Sequence, residues 1–367
     1  MMTAFAIVLV VHGLIHLLGT AKAFGWIDLP QLTQPISVTV GAVWLMSALL
    51  FMATAVSMFV WSRWWWAIGL CAVVVSTLVI LPSWTDAKVG ILANGLIVVG
   101  LVFGFLSQGP FSLRGEYDRD VERHVSFDPS PAVTEAALVH LPALLQQYLR
   151  RAGVVGQPRV RNFLVRMHGR IRDGRQGRWM PFASEQYNVV NPPARLFYLN
   201  ASMFAIPVQG YHRYVEASAS MRVKAAALVP VAAAEGDQMT QAETVTLFND
   251  MCIMAPATLI DPALEWEAVD ARTVKGRFTH AGHTIAAMLS FDDAGELTNF
   301  VSDDRFQTSA ANKTTRQVRW STPVHDYRTY GAVRLASRGE GQWHDAEGHY
   351  AYIELTIDDV QYNVRPR

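Results

Sequence analysis

The stretch VGILANGLIVVGLVFGFLSQGPFSLRGEYDRDVER, residues 89–123, carries no charged side chain before Arg114 and seven between Arg114 and Arg123. Such a break marks where a chain suited to hydrocarbon gives way to one suited to water. Working back from it, the first 111 residues hold five charges, Lys22, Asp28, Arg63, Asp86 and Lys88, and the other 57 follow. The segments near 3–21, 36–60, 64–82 and 89–107 are apolar runs of the length a bilayer core asks of a helix, roughly 18 residues or more. The first contains His12 and His16, lacks a basic leader and is followed by three further runs, so it reads as a retained span and not a cleaved signal. Short links predict an antiparallel, α-helical four-span membrane bundle over residues 1–108.

Seven of the eleven tryptophans lie in this part, and Trp26, Trp61, Trp64, Trp65, Trp66 and Trp84 fall near span ends, at the headgroup level that suits an amphipathic ring. His12 and His16 stand one helical turn apart and face the same way near mid-membrane, where an ionisable residue is a functional candidate by default. Asn94 of the fourth run and Ser76 of the third could receive their hydrogen bonds as polar glue. Haem would need an opposed histidine that no other run supplies, and zinc would need more ligands, so neither a cofactor nor a metal is expected. Cys71 and Cys252 are too few and too differently placed for a disulfide framework, and both read as free, buried thiols.

Forward from the break, residues 114–123 alternate in sign without an apolar face, and 109–132 is predicted to be a solvated juxtamembrane linker. Residues 133–152 place Leu138, Leu141, Leu145, Tyr148 and Leu149 at helical spacing, with Pro142 as a kink or a second start and Gly153 as a stop. Beyond Pro158 the period becomes two. Strands are predicted at 161–172, 180–190, 195–204, 211–223, 264–269, 272–280, 283–291, 296–303, 316–321, 331–343 and 349–363, interrupted by one helix over 237–254. Residues 133–367 thus predict an α+β soluble domain dominated by a large curved antiparallel sheet with one or two packed helices. Its size supports a core without disulfide or metal. The 31 basic and 31 acidic residues cancel, and no basic cluster interleaved with aromatics points to nucleic acid. P-loop, dinucleotide-binding, nucleophile-elbow and zincin signatures are missing from the sequence.

Between 248 and 344 the pattern becomes specific: Phe248-Asn249-Asp250, Met254-Ala255-Pro256-Ala257-Thr258-Leu259, Leu264-Glu265-Trp266-Glu267-Ala268-Val269-Asp270, Leu289-Ser290-Phe291-Asp292-Asp293-Ala294-Gly295-Glu296-Leu297, Asp304-Arg305, Tyr327 with Gly331, and Gly339-Glu340-Gly341-Gln342-Trp343. With the helix from Leu141-Pro142 to Tyr148-Leu149, this resembles a bacterial domain-of-unknown-function family, over about residues 138–364. The resemblance implies a β-rich domain and no particular activity. The long sheet with an inserted helix is also similar, as fold analogy alone, to lipoprotein-carrier-like half barrels that shelter acyl chains. A bacterial inner-membrane location follows as an expectation. Arg63, Arg114, Arg119 and Arg123 against Lys22 and Lys88 place the carboxyl-terminal domain in the cytoplasm.

The candidate ligand contacts are Trp179, Tyr187, Trp266, Arg305, Glu340 and Trp343, the aromatics as a lining or, alternatively, as core and cross-strand pairs. Arg305 is expected to pair across the sheet with Glu265 or Glu340. His280 and His283 flank a hairpin loop expected to be a solvated tip. The leading expectation is a non-enzymatic, membrane-anchored β-rich module that binds an apolar or lipid-like ligand near the bilayer surface, with no nucleic-acid partner. The alternatives are a membrane enzyme acting on a lipid or quinone-like substrate, through His12 and His16 or the Arg305 region, and an assembly protein that docks through an edge strand.

Overall fold

The computed structural model describes residues 2–60, 63–127, 129–204, 206–308 and 315–365. Two compact units share the chain, Met1–Glu116 and Tyr117–Arg367.

The first unit is helical: α1 (Met2–Ala23), α2 (Val38–Val60), α3 (Trp65–Ile80), the single turn α4 (Trp84–Ala87), α5 (Gly90–Gln108) and the start of α6 (Leu113–His124). Three of its helices, α1, α2 and the one that begins at Gly90, are long and apolar enough to cross a membrane, and α3 is a shorter apolar helix. The polarity of the unit is reversed relative to a water-soluble bundle. Ile7, Leu14, Leu18, Leu49, Val56, Leu92, Leu96 and Val99 point outward, while His12, His16, Ser47, Ser76 and Asn94 are buried. Small residues let the helices close. A side chain at Gly19 would strike Trp44, and one at Gly104 would strike Trp65. Trp65 is accordingly core, with Nε1 donating to Gln108 Oε1 at 2.9 Å, and leaves the expected interfacial set. Trp26, Trp64 and Trp84 are exposed, and Trp61 lies outside the described residues. Cys71 is exposed where a buried thiol was expected, because it sits on the outer face of α3; Cys252 is buried and both are free.

The second unit contains the remainder of α6, a 3-10 turn (Glu135–Leu138), α7 (Ala143–Arg151), α8 (Asp237–Met254), a second 3-10 turn (Pro256–Ile260) and the strands. These are β1 (Asn162–Ile171), β2 (Met180–Val189), β3 (Ala194–Met203), β4 (Ile206–Val215), β5 (Ser218–Ala225), β6 (Val229–Glu235), β7 (Leu264–Ala268), β8 (Thr273–His280), β9 (His283–Phe291), β10 (Leu297–Ser302), β11 (Phe306–Thr308), β12 (Thr315–Gln317), β13 (Trp320–Tyr330), β14 (Val333–Asp345) and β15 (Gly348–Tyr362). Alternation drives them: Ile285, Ala287, Leu289 and Phe291 of β9 are buried and the residues between them are not.

Thirteen strands form one antiparallel sheet in the order β6-β5-β4-β3-β2-β1-β15-β14-β13-β10-β9-β8-β7, and β11 pairs with β12. Irregularities at Arg166/Met167, Val223/Lys224, Leu297/Asn299 and Gly341/Gln342 interrupt its register, and bulges of this kind bend the strand that carries them. The sheet is curved and open. α8 connects one edge strand, β6, to the other, β7, and packs against β5, β9, β10 and β14. Every residue from Ala242 to Met254 is buried, so the helix is core on all sides.

Three expectations need correction. Residues 113–124 are helical and not a solvated connector: Tyr117 and Val121 are buried, Tyr117 amid Tyr187, Tyr198 and Tyr211, and Asp120 accepts from Tyr211 Oη at 2.8 Å and Arg213 Nε at 2.9 Å. The single strand expected over 211–223 is a hairpin that turns at Glu216-Ala217, both at positive φ. β13 continues past Pro323 to Tyr330, with Asp326 at positive φ omitted from the pairing with β14. Pro142 caps α7, and the chain before it forms the 3-10 turn.

Candidate functional site

Strand alternation assigns Gln186 and Asn188 of β2, Arg195 of β3, and His212 and Tyr214 of β4 to the face that α8 covers. Glu243 and Asp250 of α8, two turns apart, point back at them. Arg195 Nη1 donates to Glu243 Oε2 at 2.9 Å and its Nε to Asp250 Oδ2 at 2.6 Å, with all three side chains almost fully enclosed. Asp250 Oδ2 also accepts from Gln186 Nε2 at 2.7 Å and Asn188 Nδ2 at 3.3 Å, and Arg195 Nη2 donates to Gln186 Oε1 at 3.1 Å. Tyr214 Oη shares a 2.9 Å hydrogen bond with Thr244 Oγ1, and His212 Nδ1 lies 3.4 Å from Glu243 Oε1. Burial by itself would raise the Glu243 carboxyl. The Arg195 charge, His212 and Arg305 overrule it and hold the group at about 2. A network so fully paired suits architecture more than proton transfer.

Beyond Asn188 the interior opens. A cavity of about 270 Å³ lies at the carboxyl-terminal end of α8, walled by Phe163, Val189, Leu247, Met251, Leu264 and Phe278, with Asn188, Asn191, Asp261, Thr279 and His280 as polar members. His280 Nε2 is buried without a hydrogen-bond partner among the described residues, and burial lowers the affinity of this imidazole for a proton. The β8–β9 tip is therefore no solvated loop. His280 stacks on Phe278, and His283 Nε2 sits 3.1 Å from Asp237 Oδ1. The Ala281-Gly282 turn, with φ +56° and +78°, folds the tip tightly enough for both contacts.

Arg305 follows β10 toward the opposite end of α8. It is 9% exposed, with its guanidinium carbon 4.2 Å from the Trp320 ring centroid and 5.4 Å from that of Trp343. Its Nε and Nη1, and Trp320 Nε1, have no hydrogen-bond partner among the described residues. The expected pairing with Glu265 or Glu340 does not form. Glu265 is exposed near Arg277, and Glu340 accepts from Gln342 Nε2 at 2.7 Å, its side chain on the sheet face opposite Trp343. Cation–π contact and the field of Glu243 stabilise Arg305 instead.

The six side chains singled out from the sequence thus divide. Trp266, Arg305 and Trp343 share the α8 face, Trp266 against Phe248 and donating to the Leu259 carbonyl at 3.1 Å. Tyr187 lies on the reverse face with Tyr117, Glu340 is on that face too, and Trp179 is held between Arg170 and Arg172 at 4.6 and 4.5 Å. In the helical unit His12 Nε2 meets Asn94 Oδ1 at 2.9 Å, His16 Nδ1 meets the His12 carbonyl at 2.9 Å, and His16 Nε2 meets Ser76 Oγ at 2.8 Å. Arg195, Glu243 and Asp250 escaped the sequence reading. The available signal was a pair of acids two turns apart in a helix whose apolar residues leave no polar side.

This geometry defines a class: a helical amino-terminal unit joined to an open, curved antiparallel sheet that wraps a buried helix. The model of the family described as "Family of unknown function (DUF6544)" matches residues 131–355, and the chain belongs to that family. The resemblance read from Phe248 to Trp343 is thereby a membership. No curated protein matches the sequence. Among solved structures, the chain is similar to a domain assigned as an outer membrane lipoprotein-sorting protein from Vibrio parahaemolyticus, at 9% identity and TM-score 0.35, over 60% of this chain and 90% of that one. It is also similar to a DUF1329 family protein from Desulfovibrio piger, at 8% identity and TM-score 0.36, over 64% of this chain and 95% of that one.

Proposed function

We propose that the protein is a membrane-anchored module that binds an apolar, lipid-like ligand in the cavity at the carboxyl-terminal end of α8. The cavity carries the reading. Its aliphatic and aromatic walls suit hydrocarbon, and at about 270 Å³ it falls just under the ~300–1,000 Å³ usual for small-molecule sites, enough for an acyl segment and not for a whole lipid. Asn188, Asn191, Asp261, Thr279 and His280 supply polar groups that orient such a ligand. The reversed polarity of the helical unit supports a bilayer anchor, with α1, α2, α3 and α5 as four spans, residues 109–132 as the connector and 133–367 as the module. Binding in place of catalysis is supported by the neighbouring Arg195, Glu243 and Asp250, each occupied by a fixed partner.

A diazirine-bearing fatty acid added to the full-length protein in detergent tests this. Photolysis and peptide mass spectrometry should place adducts within 188–193, 261–264 or 278–280. Met251→Trp, which fills the cavity, should remove those adducts and leave any on the apolar helices unchanged. Adducts confined to the helices in both proteins would refute the reading.

A further inference from the structure

The turns β1–β2, β3–β4 and β5–β6 all lie at one end of their half of the sheet, as consecutive antiparallel pairings require. The β3–β4 and β5–β6 tips are apolar where water-facing turns are normally polar, and the β1–β2 turn beside them, residues 172–179, is rich in arginine. Phe204 is 70% exposed, Leu228 59%, Val229 57% and Val231 56%, with Met203 and Ile206 also exposed. The tips are contiguous: Ala226 N donates to the Pro207 carbonyl at 2.8 Å, and the Arg178 guanidinium lies 4.5 Å from the Phe204 ring centroid. β6 extends the patch along the sheet edge as Val-Pro-Val-Ala-Ala-Ala-Glu, almost wholly exposed on both faces. Arg178 and Lys224 flank it without a carboxylate partner among the described residues.

We infer that these hairpin tips insert into the headgroup layer of a bilayer containing anionic lipid. A soluble protein seldom leaves so large an apolar edge open, so the patch has an occupant. Two observations select lipid over protein. The same chain carries three helices apolar enough to cross a membrane, which keeps a bilayer at high effective concentration around the module. The chemistry is also interfacial: an aromatic ring and branched aliphatics at the tips, with cations beside them whose stems are apolar and whose ends match phosphate. Pro230 in β6 discourages the competing occupant, a strand added to the edge. The inference does not depend on the cavity holding a ligand.

The test uses full-length protein bearing Cys71→Ser, reconstituted in phosphatidylcholine nanodiscs with or without phosphatidylglycerol. A bimane label is attached through Phe204→Cys, Leu228→Cys or, as a control at the other end of the same strands, Glu216→Cys. A headgroup-proximal doxyl lipid should quench bimane at 204 and 228 and spare it at 216. Arg178→Glu and Lys224→Glu should each lower the docked fraction, by about fivefold in docking equilibrium for a lost contact with an anionic surface and more for the reversed sign. Equal quenching at all three sites overturns the inference. So does a label at 204 or 228 that is shielded in detergent and nanodiscs alike and crosslinks to a second protein chain.

Discussion

Arg195 is the side chain on which the interior of the sheet is centred, because two buried carboxylates depend on it. Replacing it with methionine deprives Glu243 and Asp250 of the countercharge they share, and removal of one partner from such a group costs about 3–5 kcal/mol. Arg195→Met should therefore lower the urea midpoint of the Tyr117–Arg367 unit in the full chain, and the triple change with Glu243→Leu and Asp250→Leu should recover much of the loss. Acidity probes the same cluster. Folding holds the Glu243 carboxyl at about 2 against an ordinary 4.5, so its contribution is complete above the ordinary value and disappears as pH falls toward 2. The stabilisation withdrawn over that window is on the order of 3 kcal/mol. In Glu243→Gln, acid denaturation should lose this component and show a shallower dependence below pH 4.5.

Among the elements, α8 is the one whose fit is least forgiving. Phe248 and Trp266 meet over Gly276 of β8, where any Cβ would press into both rings. Gly276→Val should cost about 1–3 kcal/mol through overpacking, read as a lower midpoint with the sheet content unchanged by circular dichroism. The helix was legible from its sequence, since 237–254 repeats apolar residues at helical spacing and Asp237–Met254 is what forms. Most strands were legible for the same kind of reason, a period of two with one face buried. The Glu216-Ala217 and Ala226-Ala227 hairpins were not. Such turns normally announce themselves through asparagine or glycine, and here ordinary L residues take φ between +49° and +62°. β13 was hidden by Pro323, whose missing N–H argues against a central strand. Of the candidate site, Arg305, Trp266 and Trp343 could be named in advance as chemistry worth burying. Their separation from Tyr187 and Glu340 could not, because it depends on register across strands far apart in the chain.

For the molecule as a whole, the asymmetry of basic residues, Arg63, Arg114, Arg119 and Arg123 against Lys22 and Lys88, predicts that the Tyr117–Arg367 unit faces the cytoplasm. Protease added to inverted inner-membrane vesicles should cleave sites in this unit, and the same protease added to intact spheroplasts should not. The reverse pattern would place the cavity outside. The seam between β1 and β15, with Phe163 opposite Tyr362, bears on how the protein is made. A ribosome delivers β1 through β6 early, yet their central neighbour β15 comes after every other described strand of the sheet, so β1 and β14 wait as open edges until residues 348–362 are released. The central sheet therefore closes late, and the nascent chain is most exposed to mispairing just before residues 348–362 are free to pair.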